Sequence, residues 1–596
     1  MFTSMIKLLK YMLAGCAVSA AASMTLSCTS PRAAKTVDLK VIQTTDVHGN
    51  FFPYNFITRT PWEGSMARVA TFVDSLRNEV GKENVILLDN GDILQGQPAA
   101  YYYNYIDTTS PHIVDEIYRY LGYDAATIGN HDVETGHAVY DRWISQSPVP
   151  VLGGNIIATE TNTPYLPPYT IIERNGVKVA VIGLLTPSIP AWLPENLWSG
   201  LKFEPMVESA RRIVKEVKEK ENPDVIIGQF HSGRDSTTIT GGVMENASLV
   251  IANEVDGFDI ILYGHDHQLY LEEITRPDGS KVWVCNPAHN AIAVSEVDIK
   301  VSFDDSGNLV DKKIEAKITP IADLTPSQAY LDKFAPQYEA VTEFVDREIG
   351  TAQGTFTSRD AYFGPSSFMT LVHDLQLEIA DAEISFAAPL SFDASINEGT
   401  IRMNDMFNLY KYENLLYAME LSGREIKDYL EESYGIWTNQ ITSPDQHMLL
   451  FADQNPTPDS NRLKNPSYNF DSAAGIIYTV DVTKPKGSKV NIISMQDGSP
   501  FDPDRKYRVA INSYRGNGGG NLLTRGAGIE LSELPSRILF STDKDLRYYL
   551  MEAIEKKKTI APRKADNWKF IPENIARPAA VADSILLFSG GMSRQK

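Results

Sequence analysis

Cysteine is nearly absent from this chain: 596 residues hold three, Cys16, Cys28 and Cys285. Beyond the first 28 residues Cys285 stands alone. No intramolecular disulfide can then staple an exported fold, and stability must come from large cores. An excess of positive charge is missing as well. The formal net charge of −21 argues against a nucleic-acid polymer as partner, because such binders gather Lys and Arg to displace counterions. A single small phosphate ligand stays compatible with that charge if metal ions supply positive charge locally. Low-complexity segments and internal repeats are also lacking, so neither a solenoid nor a fibrous array is expected. At this length one core is not enough, which points to two folded domains with terminal extensions.

Long apolar runs are scarce. Residues 11–26, which follow Lys7 and Lys10, have the form of a signal segment with a charged start and an apolar core. The run is too short to span a membrane comfortably. Small residues around Ser27 and Cys28 resemble a bacterial lipoprotein signal, with Cys28 as the lipidated first residue of the mature chain. Cys16, preceded by Leu13, Ala14 and Gly15, is the alternative site, and plain secretion with cleavage near Ala22 or Ser23 is a third reading. The expectation is an exported chain of the periplasm or cell envelope, in contact with membrane only through a lipid anchor. A monomer is favoured.

What the chain does have is a repeated layout, an apolar run that ends in polar residues. Residues 39–44 lead to Asp46 and His48, 85–88 to Asp89, Gly91 and Asp92, and 125–128 to the stretch IGNHDVE at 128–134. Residues 225–230 end in His231, and 260–263 lead to Gly264, His265, Asp266 and His267. Short β-branched runs read as fully buried strands, and α/β sheets hold their ligands outside the carboxyl ends of such strands. The run 177–185 ends instead in Thr186 and Pro187, so polar residues do not follow every strand. Of ten histidines, five (His48, His131, His231, His265 and His267) fall in these loops. A lone DxH or GHxH is more often a surface turn; the joint occurrence is what points to a metal centre. Neutral imidazoles with carboxylate and amide oxygens suit Mn, Zn, Co, Fe or Ni without thiolates.

Strand and helix signals alternate from Val37, the mark of an α/β domain, which is expected to span 37–324. Helical spacing covers 65–76, 113–121 and 206–221, and strands at 282–285 and 291–301 close the domain. Tyr101, Tyr102, Tyr103 and Tyr105 are expected to pack a helix or line the crevice. A single long helix is predicted over 325–349, opened by Thr325, Pro326 and Ser327 and stopped before Gly350, as a linker at 325–350. The second domain, 351–558, would hold helices at 366–380 and 423–433 and strands at 415–421, 476–482 and 507–512. Residues 559–596 are left as an extension without an assigned role.

The order DVH, GD, GNHD, H and GHDH resembles the calcineurin-like metallophosphoesterase domain. Residues 37–558 as a whole are similar to the 5′-nucleotidase and 2′,3′-cyclic-nucleotide 2′-phosphodiesterase family. The resemblance implies an α/β fold, a four-layer β-sandwich flanked by helices, followed by a second α/β nucleotidase domain. It implies two divalent ions, one held by Asp46, His48, Asp92 and His267 and the other by Asp92, Asn130, His231 and His265, with Asp92 as the bridge. Such ions, about 3.5 to 4 Å apart, carry a bridging hydroxide that attacks phosphorus. His131 would stabilise the transition state or protonate the leaving oxygen. Its partner would be Glu134, at a position where nucleotidases of the family have Asp; Asp132 would support the loop.

Two further stretches, MFNLYKYENLL at 406–416 and NSYRGNGGG at 512–520, resemble the paired base-binding segments of the family's second domain. By that match Tyr412 and Tyr514 sandwich a nucleobase and Asn414 bonds its edge; from the residues alone, Tyr412 reads as core and NGGG as a turn. Nucleotidases specialised for 5′-phosphates carry a Gly-rich segment ending in Arg where this chain has AAPLSF at 387–392. With LYKYEN, YNFD at 468–471 and NSYR, the chain looks more like the branch that opens 2′,3′-cyclic nucleotides and then removes the 3′-phosphate. A 5′-nucleotidase or nucleotide-sugar hydrolase is the alternative on the same scaffold. From another class, the alternative is an inactive nucleotide-binding envelope lipoprotein. The resemblance also implies a hinge near 322–355 that lets the second domain carry substrate to the metals.

Overall fold

The continuous apolar runs fold as strands buried on both faces. Val85, Ile86, Leu87 and Leu88 are all shielded from solvent: Val85 and Leu87 join the cluster under the helices Met66–Val80 and Ile113–Leu121, and the alternate residues face the other way. These details come from a computed structural model that describes residues 35–457 and 462–588. The expected signal at 1–28, with Cys16 and Cys28, and residues 29–34 of the tether lie outside the described residues.

Two six-stranded sheets form the centre of the first domain. Their strands are β1 (Lys35–Thr44), β2 (Val85–Asp89), β3 (Ala125–Thr127), β4 (Val151–Leu152), β5 (Tyr169–Arg174), β6 (Val177–Leu185), β7 (Val225–His231), β8 (Ile260–Tyr263), β9 (Leu269–Thr275), β10 (Lys281–Pro287), β11 (Ala293–Phe303) and β12 (Leu309–Pro320). One sheet runs β12-β11-β1-β2-β3-β4 and the other β9-β10-β8-β7-β6-β5. From β1 to β4, and from β6 through β7 and β8 to β10, neighbours are parallel, so their carboxyl ends share one edge. The side chain of Asn90 donates to Leu262 O (2.8 Å) and that of Gln43 to Tyr263 O (2.8 Å), struts that join the two sheets at that edge. The helices Met206–Lys220 and Ser248–Glu254 cover the outer face of the second sheet. Helix, sheet, sheet, helix is the four-layer sandwich expected from the sequence.

The described residues divide into a large unit, 39–299 with 314–588, and a small one in which 35–38 meet 300–313. Within the small unit Lys300 pairs with Asp38 at 3.1 Å.

The predicted linker helix is two helices, Gln328–Lys333 and Ala335–Asp346, which meet at Phe334. Pro336 has no N–H to give to a continuous helix and fits only in a first turn, so it starts a second helix. The second domain has a five-stranded sheet in the order Ser472–Ala474, Ile384–Ala387, Lys506–Asn512, Leu415–Ser422, Ile538–Asp545. This domain does not end at 558 as expected, because the segment beyond that point is woven into it. Thr559–Ile560 pairs with Glu348–Ala352, and Trp568–Ile571 pairs with Ile476–Asp481. The helix Glu573–Phe588 buries Ala576, Ala579 and Leu587 in the second-domain core.

Candidate functional site

All seven candidate ligands follow or end strands at the shared edge, and the backbones of five are strained to get there. Asp46, His48, Asp92, His265 and His267 have φ of 47°, 49°, 54°, 78° and 57°. This left-handed region is unusual for non-glycine residues and collects at functional sites. Asp132 holds two of the loops together. Its carboxylate accepts the N–H groups of Asp92 (2.9 Å), Ile93 (3.0 Å), Leu94 (2.8 Å) and Gly129 (2.8 Å). Burial, with the charge of Asp92, raises its pKa to about 6.

The side chains fall into two sets. Asp46, His48 and His267 converge in one, and Asp92, His231 and His265 in the other; within each set the donor atoms lie within 4.8 Å of one another. Asn130 joins the second set, its Oδ1 being 3.0 Å from His231 Nε2 and 2.8 Å from His265 Nδ1. The sets share a wall, since His265 N donates to Asp46 Oδ1 at 3.2 Å. Asp92 lies 3.1 Å from His231 Nε2, and its charge also acts on Asp46 and His48 in the first set.

The donor chemistry fits cations. His48 Nδ1 sits 3.0 Å from Gln95 O and His231 Nδ1 2.7 Å from Asn90 O. A carbonyl accepts, so each Nδ1 carries a proton and each Nε2 faces the site, where its lone pair is open to a cation whenever the ring is neutral. There His48 Nε2 meets His267 Nε2 at 3.0 Å, and His231 Nε2 meets Asn130 Oδ1. Each of these close pairs shares a proton when no cation is bound, a proton that a metal ion would replace. Burial penalises charge on His231, yet the carboxylate of Asp92 outweighs it and raises its pKa to about 10. Burial likewise opposes charge on Asp46, but the hydrogen bond from His267 holds it well below the usual carboxylate range. The site is thus built to surround positive charge.

His131 stands beside the first set, its ring 5.5 Å from that of His48. Glu134 reaches its Nδ1. Burial would lower the pKa of this ring, but Asp92 and Glu134 together raise it to about 9.

Across the cleft the second domain presents three tyrosines. Tyr412 is half-buried in a loop and Tyr514 half-buried in the short helix Ser513–Gly516, and each meets Tyr468 edge-on, at 6.2 Å and 80° and at 6.5 Å and 82°. Asn414 is 7% exposed, and its carbonyl accepts from Leu546 N. The charge of Glu134 acts on Tyr412, and that of Glu245 on Tyr468 and Tyr514, so the tyrosines lie within electrostatic reach of the carboxylates that partner His131 and His265. Tyr105 of the first domain donates to Glu413 (3.1 Å), Tyr101 to Asp545 (3.3 Å), and Asn517 to Trp192 O (3.3 Å), which docks the domains on both sides of the cleft.

Comparison with known proteins agrees with this geometry. Residues 39–269 match the calcineurin-like phosphoesterase family and residues 348–525 match the 5′-nucleotidase C-terminal domain. The chain belongs to these two-domain metallophosphoesterases. It is 28% identical to the trifunctional nucleotide phosphoesterase protein YfkN of Bacillus subtilis, over 91% of this chain but 39% of that protein. It is 27% identical to the 2′,3′-cyclic-nucleotide 2′-phosphodiesterase/3′-nucleotidase of Salmonella typhimurium, over 90% of each. A Staphylococcus aureus protein crystallised with alpha-ketoglutarate shares the fold, with a TM-score of 0.73 at 22% identity over 89% of this chain and 99% of that one.

Three residues of the metallophosphoesterase site carried no sequence signal. Glu245 Oε1 lies 3.2 Å from His265 Nε2, the carboxylate–histidine arrangement that orients a metal-binding ring. Trp192 packs its ring 5.6 Å from that of His265, and His289 stacks 4.7 Å from His267. Glu245 and His289 come from loops and Trp192 from the short helix Ile189–Trp192, all outside the repeated layout, so only the folded chain brings them in.

Proposed function

We propose that this metallophosphoesterase hydrolyses 2′,3′-cyclic nucleotides at the 2′ ester and then removes the 3′-phosphate. One observation carries the reading: two adjoining donor sets made for cations are accompanied by a cluster of three tyrosines on the second domain, against which a base can stack. The names of the relatives in Salmonella and Bacillus support it.

Asp46, His48 and His267 would hold one divalent ion, Asn130, His231 and His265 a second, and Asp92 both. Mn, Zn, Co, Fe or Ni fits this oxygen and nitrogen set. Bound there, the pair supplies an acidified water and polarises the phosphoryl oxygens. The chain's own groups do the rest. Tyr412 and Tyr514 stack on the base, each worth about 1 to 3 kcal/mol, and accept several bases because every base has a π face. Asn414 bonds the base edge. His131, with Nδ1 fixed by Glu134, holds a proton at Nε2 and gives it to the ribose oxygen as the phosphorus–oxygen bond breaks. Export and a lipid anchor at Cys28 complete the reading, on the support of the sequence alone.

The test is a panel of 2′,3′-cyclic AMP, 3′-AMP and 5′-AMP on metal-loaded protein. Turnover of the first two is expected. A clear preference for 5′-AMP overturns the assignment in favour of a 5′-nucleotidase, the name carried by relatives in Vibrio.

A further inference from the structure

Arg515 is 1% exposed, and its guanidinium is fully used. Nη2 donates to Asp471 Oδ1 (2.9 Å) and to Tyr468 O (2.8 Å). Nη1 donates to Asn469 Oδ1 (3.0 Å) and to Gly519 O (2.7 Å). The same guanidinium lies 5.4 Å over the ring of Tyr514. One buried group therefore grips the Tyr468 segment, the glycine turn and the back of Tyr514 at once. Planar, forked donors suit such a task and a lysine's point charge does not.

The glycines of NGGG follow from this packing. A Cβ on Gly519 would strike the Tyr514 ring, and one on Gly520, at φ 71°, would strike Arg515 Nη1. The turn is bare because the guanidinium and the ring fill its space.

Tyr468 has its own place. Steeply inclined to both other tyrosine rings, it cannot join a stack with either and is placed to serve as an end wall beside them. A wall of that kind limits how far a base can enter and fixes its direction relative to the metal sets.

We propose that Arg515, paired with Asp471, is the positioning residue of the base slot, and that Tyr468 is its third wall. This rests on the nucleotide reading above. The function of the device is to keep two tyrosines from relaxing into each other when no base is bound, so that the slot is open before substrate arrives. Preorganisation of this sort appears in KM, because ordering that binding would otherwise have to supply is already present.

The variants are Arg515→Lys, which keeps a charge for Asp471, and Tyr468→Leu, which leaves the Arg515 network intact through the backbone carbonyl. The substrates are 2′,3′-cyclic AMP and glycerol 1,2-cyclic phosphate, which has the same kind of cyclic ester and no base. In both variants KM for 2′,3′-cyclic AMP should rise about ten-fold or more, the scale of one lost base stack, with kcat within about three-fold. The rate on the base-free ester should follow the wild type. Adenosine binding, measured by calorimetry on the metal-free chain, should weaken in parallel. An unchanged KM and unchanged adenosine affinity overturn the proposal, as does an equal loss on both esters, which would mean a merely structural role. If the wild type turns over neither ester, the nucleotide reading fails; adenosine binding to wild type and variants then still decides the slot.

Discussion

Glu134 Oε2 lies 2.5 Å from His131 Nδ1. Both residues sit on the short helix Asn130–Glu134, three positions apart and so on one face. The extra methylene of Glu relative to Asp is taken up without loss of the contact. With Nδ1 committed to the carboxylate, proton transfer falls to Nε2.

His131→Ala should therefore lower kcat by about 10²- to 10⁴-fold, the usual share of a general acid, while metal content stays that of the wild type. Glu134→Gln should lose a smaller part. Elemental analysis beside steady-state kinetics on the same samples checks both; a His131→Ala enzyme with undiminished kcat removes the residue from the mechanism.

Gly129 and Gly264 are spacers of the candidate metal centre. A Cβ on Gly129 would strike Asp92 Oδ1, and one on Gly264 would strike Thr45 Oγ1 and Asp46 Oδ2. Gly129→Ala and Gly264→Ala should each weaken metal affinity by about ten-fold or more in a chain that still folds. Metal titration with circular dichroism as the fold control is the measurement.

This relation between glycine and ligand shows how far the sequence could be read. Apolar runs ending in D, N or H marked five strand ends, three of them with a glycine beside the ligand, because a ligand cluster needs backbone close to backbone and that leaves a local signature. Buried strands such as 177–185 and helices such as 113–121 were legible for the same reason, a continuous or periodic apolar pattern. Glu245, Trp192 and His289 were not, since their partners lie in other loops and no spacing records the meeting. Pro336 split a helix whose periodicity ran on through it. The segment after 558 read as a loose extension because its prolines and alanines hide two strands whose partners are distant in sequence.

Asp115 gives a pH dependence of stability. It is 1% exposed, neither carboxyl oxygen has a hydrogen-bond partner, and burial raises its pKa to about 8; of its neighbours Arg119 and Arg142 oppose the rise and Glu116 adds to it. The folded carboxyl thus keeps a proton that the unfolded one releases above its ordinary value of about 3.9. Its contribution is fully present below that value and is lost as pH rises toward about 8. Asp115→Asn should flatten the decline of stability between about pH 5 and about pH 8, by on the order of 2 kcal/mol. Urea midpoints at the two pH values measure it, and parallel declines in wild type and variant would count against the assignment.

Arg547 ties the two domains. It is 1% exposed, 3.6 Å from Glu413, donates to Tyr410 O (3.1 Å) and Lys411 O (2.9 Å), and lies 5.0 Å over the ring of Tyr101 from the first domain. Arg547→Met leaves Glu413 buried without its cation. A loss of about 3 to 5 kcal/mol is expected, read by chemical denaturation, together with faster proteolysis between the domains.

The most direct test is to strip the chain of metal and titrate it with Mn²⁺ while following hydrolysis of 2′,3′-cyclic AMP. The expected result is no turnover without metal, two ions bound per chain, and full rate only when both sets are filled. Undiminished turnover after complete metal removal, or full rate with a single ion bound, would contradict it.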